Sequence, residues 1–111
     1  MAVVAKKWQA TLNVVGSIVT VVTSPSTGSQ ISSINIINTN TTTARTVTIY
    51  VGGTGSSASN MWQIITIPAN DFYFIDLSNC PIVLGNVETV RMAQNTGTDC
   101  TATLGGLDTQ N

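Results

Sequence analysis

Histidine is absent from the chain, and charge is scarce: four lysines and arginines stand against five acids in 111 residues, for a net charge of −1. Without histidine, the Ser-His-Asp and Cys-His arrangements lose their usual base. The cations Lys6, Lys7, Arg45 and Arg91 form no cluster able to neutralise a run of phosphates, so nucleic acid is not an expected partner. Cysteine is limited to Cys80 and Cys100, too few for a disulfide framework and without metal-site spacing. Two buried thiols and one Cys80–Cys100 disulfide are the two readings of that pair. No stretch approaches about 18 uninterrupted apolar residues, so no membrane span is expected. Lys6 and Lys7 before an apolar run imitate a secretory leader, but Asn13, Ser17 and Thr20 interrupt that run and its residues are β-branched.

What is present is a β pattern written in Val, Ile, Thr and Asn. Charged residues make up 8% of the chain and hydrophobic ones 42%, which is enough to fill a core but leaves the polar surface to hydroxyls and amides. A helical period persists nowhere, whereas two-residue alternation recurs between turn signals. Strands are expected at 17–23, 30–38, 45–51, 61–67, 72–77, 82–84, 87–94 and 100–106. The clearest is "RTVTIYV", with Val47, Ile49 and Val51 on one face and Thr46, Thr48 and Tyr50 on a wet one. "FYFIDL" at 72–77 holds both phenylalanines and is the expected aromatic part of the core. The fold class is therefore all-β, an antiparallel β-sandwich, jelly-roll-like, of about eight short strands. Residues 1–13 fall outside the strand pattern and are expected as an extended N-terminal arm, with 14–111 as the sandwich domain. The arm holds two of the four cations and no acid.

Motifs that carry chemistry are few. "GGTG" at 52–55 has neither a following lysine nor a helix pattern, so it reads as a hairpin loop rather than a phosphate cradle. Asp71 and Asp76, five apart across a strand, are expected on opposite faces, which argues against a carboxylate pair. Asn40 satisfies a glycosylation pattern in a chain rich in Asn and Thr. No catalytic, cofactor-binding or metal-binding residue is nominated, and the chain is not expected to be an enzyme. The residues expected to meet a partner are Lys6, Lys7 and Trp8 on the arm, and Gly53, Ser56 and Asn60 in the loop.

The elements at Ser24 to Gly28 (a Pro-Gly turn), Ile34 to Thr39, Thr46 to Val51, "IPANDFYFIDL", "LGNVETVRMAQ" and "CTATLGGL" together resemble small β-sandwich virion proteins of tailed bacteriophages. The pattern departs from that family at Asn70 and Asn86, where glycine or a Gly-Asp turn is more usual. What the resemblance implies is a structural role: a head decoration or cement protein, commonly a homotrimer, that binds the major capsid protein and stabilises the lattice. It places the chain on the capsid surface of a virion assembled in the host cytoplasm. The alternative is a tail or fibre protein binding host-surface glycan, which requires Trp8, Tyr50 or Trp62 to be exposed around a groove.

Overall fold

The structure, a computed structural model, describes residues 2–53 and 58–110. Among the described residues nine strands run in chain order: β1 (Ala2–Thr11), β2 (Val19–Thr23), β3 (Ser29–Asn38), β4 (Arg45–Val51), β5 (Met61–Ile67), β6 (Asp71–Asp76), β7 (Ile82–Leu84), β8 (Thr89–Gln94) and β9 (Cys100–Gln110). A five-stranded sheet has the order β1-β9-β3-β6, with β7 also pairing β3, and a four-stranded sheet has the order β2-β8-β4-β5. Every strand pair is antiparallel. Successive pairs β4·β5, β3·β6, β2·β8 and β1·β9 nest one outside the other. That is the winding of a jelly roll, two Greek keys closed into a double sheet.

The alternation read from the sequence is what closes the sandwich. Ile31, Ile34 and Ile36 of β3 meet Ala102 and Leu104 of β9 on the inner side of the large sheet. Val47 and Ile49 of β4, Ile65 and Ile67 of β5, and Val90 and Met92 of β8 supply the facing layer. Fully burying each such aliphatic side chain contributes about 1.5–3 kcal/mol. The bulge between Ile31 and Ser33 of β3 lies against Gly105 and Gly106. A Cβ at Gly106 would sit 1.9 Å from the Gln30 carbonyl oxygen, so only glycine lets the two strands approach there.

Of the segment 1–13, the described residues 2–13 do not form a free arm. Ala2–Thr11 pairs with Gln110–Thr101 over ten consecutive residues, and Leu12 is buried in the core. Removing the segment would bare β9 and empty the Leu12 site. The sequence hides this strand because its burial does not alternate: residues 3–7 are exposed on both sides. The ten- and eleven-residue strands of the large sheet outreach the five- to seven-residue strands of the small one. Inward-facing Val4 and Lys6 therefore stay in solvent, and the molecule measures 47 × 24 × 20 Å.

Other corrections concern single positions. Tyr50 shares the outer side of the small sheet with Thr48 but is buried. Cys80 is exposed and Cys100 buried, both as free thiols, so neither the disulfide nor the pair of buried thiols is present. Asn70, standing where glycine was expected, adopts φ 54°, a left-handed conformation that asparagine tolerates. In the β7–β8 turn the left-handed position is Val87, φ 51°, and not Asn86. Val87 is β-branched, and that conformation strains it.

Candidate interaction surface

The largest departure from expectation is β6. It pairs on one side with β3 alone, from Asp71 opposite Asn38 to Asp76 opposite Ser33, and forms the edge of its sheet. Phe72, Tyr73 and Phe74 are exposed by 59, 42 and 54%. They are not the aromatic part of the core, because a period of two fixes which way side chains point but not whether another layer covers them. Phe72 and Phe74 share the outer face with Ile37 and Asn35, while Tyr73 and Ile75 lie on the inner side opposite Ile36 and Ile34. Asp71 and Asp76 do fall on opposite faces, as their spacing predicts.

Turns hold this strand at both ends. The Asn70 amide donates to the Asn40 carbonyl at 2.7 Å, and the Leu77 amide to the Ser32 carbonyl at 2.9 Å. Asp76 accepts the Ser78 amide at 2.9 Å, which holds its carboxyl below the usual range. On the adjacent edge of the small sheet, Ile64 and Met61 of β5 are exposed as well. A strand edge with three consecutive exposed aromatics is uncommon in a free monomer.

The residues nominated from sequence are divided between the two sheets. Lys6, Lys7 and Trp8 lie on β1, the other edge of the large sheet. Trp8 points inward and packs half-buried against the core, and the Lys6 ammonium lies 3.9 Å from Asp108. Gly53 and Asn60 lie beyond β4, and both have structural partners. The Gly53 amide donates to Glu88 Oε2 at 3.1 Å, its carbonyl accepts the Thr89 amide at 2.9 Å, and Asn60 Nδ2 donates to the Gly52 carbonyl at 3.0 Å. Glu88 also takes the Gly85 amide at 2.7 Å, and these two backbone donors hold its carboxyl low. Ser56 lies outside the described residues. Trp62, like Trp8, is half-buried against the core, so none of Trp8, Tyr50 and Trp62 stands open around a groove.

At the opposite end of the strands, a polar cluster missed in the sequence ties three loops together. Asp99 accepts Arg45 Nε at 2.9 Å and Nη2 at 3.2 Å, Asn40 Nδ2 at 2.8 Å and Gln94 Nε2 at 2.8 Å. These donors, Arg45 foremost, hold the Asp99 carboxyl far below the carboxylate range. The Cys100 amide donates to Oε1 of fully buried Gln94 at 2.9 Å. Burial then pushes the Cys100 thiol up to about 11. Fully buried Asn38 reaches the carbonyls of Thr43, Ile67 and Pro68, and its own oxygen accepts the Asn40 amide. Asn40, the glycosylation candidate, is thereby committed to the Asp99 cluster. The only cue in the sequence was the rarity of charge, which makes Arg45 and Asp99 natural partners 54 residues apart.

Among the described residues no group of three His, Cys, Asp or Glu side chains could hold a metal ion, and no pocket opens. Among the described residues no helix is long and apolar enough to cross a membrane. Neither the protein-family models nor the curated proteins compared with the chain match it.

Proposed function

We propose that the chain is a structural protein of a bacteriophage particle, a head decoration or cement protein that binds the major capsid protein and stabilises its lattice. The observation that carries this reading is the apolar surface left open beside β6, Met61 and Ile64 on β5 and Val83 on β7, which is fit to be covered in the working state. Further support comes from the resemblance of the turn and strand motifs to small phage virion proteins. Jelly rolls recur in viral capsid domains, lectins and cupins. Histidine, the commonest protein metal ligand, is missing from the sequence. Fold analogy raises the prior for a shell protein, and the uncovered surface gives it a physical basis.

In this role many weak contacts act together, because copies arrayed on one lattice gain effective concentration. The protein is then found on the capsid surface, having been added to heads assembled in the host cytoplasm, and three-fold positions suit a homotrimer. The test is to add purified protein to phage heads that lack it and to read cosedimentation and cryo-EM density. Saturable binding with density repeated over the capsid is expected. Failure to bind heads, or density confined to the tail, contradicts the reading.

A further inference from the structure

The large sheet ends in two strands of opposite charge. On β1, residues 3–7 are exposed, and they include Lys6 and Lys7 but no acid. On β6, Asp71 and Asp76 bracket the exposed aromatics, and no cation lies between them. Among the described residues β1 pairs only β9 and β6 pairs only β3, so each edge presents backbone donors and acceptors that no further strand takes up, the Phe72 amide alone turning to Asp71 Oδ1 at 2.7 Å. The order β1-β9-β3-β6 is antiparallel at every step, so β1 and β6 run in opposite directions. A second copy set beside the first therefore lays its β1 antiparallel to the first copy's β6.

We infer that the occupant of the β6 edge is β1 of a second copy of this chain, joined head to tail so that the large sheet continues from one copy into the next. One register matches the exposed side chains of residues 3–6 with those of residues 71–74. Lys6 faces Asp71, and Ala5, Val4 and Val3 then face Phe72, Tyr73 and Phe74. The faces agree: Val3 and Ala5 lie on the outer side with Thr109 and Leu107, as Phe72 and Phe74 do with Ile37 and Asn35. Val4 and Tyr73 both lie on the inner side. Val3, itself 60% exposed, is covered by Phe74, and aromatic against β-branched is a favoured cross-strand pair. Lys6, only loosely held by Asp108 at 3.9 Å, gains a directly opposed carboxylate.

Pairing β6 with a second β6 about a two-fold axis serves less well. With Tyr73 on the axis, Phe72 faces Phe74, but Asp71 falls against Ile75 and the basic edge stays unused. Head-to-tail contacts are heterologous, so they close a ring or run on as a filament. Ile64 and Met61 on β5, and Val83 on β7, remain open for the shell. The inference does not depend on the phage reading. Self-association without binding to heads would remove that reading alone, and binding to heads by a monomer would remove this inference alone.

Sedimentation velocity of the full chain across a concentration series tests it. Concentration-dependent association is expected, and Lys6→Glu or Asp71→Lys should each weaken it by about tenfold, since like charges then face each other. Both reversals in one chain should restore it, and so should mixing the two single variants, because every interface of an alternating assembly is again complementary. A chain that stays monomeric to millimolar concentration, or association indifferent to Lys6→Glu, overturns the inference. A second readout does not depend on charge. In a Cys80→Ser background, Val4→Cys with Tyr73→Cys should form intermolecular disulfides on oxidation. Within one chain the two edges lie three strand spacings apart, about 14 Å, beyond disulfide reach. Failure to cross-link under conditions where the chain associates counts against the register.

Discussion

The end of the sandwich around Asp99 and the edge formed by β6 use opposite means. At the first, nearly every polar group has a partner inside the molecule: Arg45, Asn40 and Gln94 converge on one carboxylate, and Asn38 binds carbonyls on either side of a loop. At the second, three aromatic rings are left uncovered and one side of a strand is left without a neighbouring strand. Satisfied polar groups in a closed network contribute rigidity to the fold. Unmatched apolar groups contribute nothing to the isolated chain and are available to a partner. Stability and association are thus seated in different places, and substitutions should separate them.

The largest stability effect belongs to the latched end. Gln94→Ala leaves the buried Cys100 amide without its acceptor and opens a small void, at a cost of about 3 kcal/mol. Urea unfolding should show it as a lowered midpoint, with association below the transition unchanged.

Acid should act on the same end. The folded Asp99 pKa lies below its ordinary value of 3.8, so its contribution is complete above that pH and is lost as pH falls below it. Asp76 and Glu88, also held low, add smaller slopes of the same sign. The stability of the native chain should therefore fall below about pH 4. Asp99→Asn should be less stable at neutral pH and show a shallower fall, as read from thermal unfolding at stepped pH.

A smaller, opposite effect is expected at Val87, whose left-handed backbone is disfavoured for a β-branched residue. Val87→Asn should raise stability by about 1 kcal/mol. Smallest of all, Phe72→Ser combined with Phe74→Ser should change monomer stability by less than about 0.5 kcal/mol each, while abolishing association measured by light scattering. A large loss of stability there would mean that the aromatics belong to the core after all.

How far the sequence could be read follows from the same division. The strands of the sandwich were legible because Val47, Ile49 and their neighbours alternate, and because Gly28, Asn70 and Gly85 carry turn chemistry. β1 was hidden because its first half, residues 3–7, outruns the opposing sheet and has no buried face, and hence no alternation to detect. Phe72 to Phe74 were assigned to the core because their pattern is that of any strand; whether a strand is central or at an edge is decided by β9 and β3, far away in sequence. The Asp99 cluster was illegible for a related reason. Apart from Arg45 and Asp99, its members are ordinary Asn, Gln and Thr positions until the winding brings three loops to one end.

Amide hydrogen exchange measured at low and high protein concentration reports on both regions at once. Protection at residues 72–75 and 3–6 should rise together with concentration, while that at residues 39–45 and 99–100 stays constant. If the two edges exchange equally fast at every concentration, or if protection rises around Asp99 instead, the division between a latched end and an open, self-pairing edge is wrong.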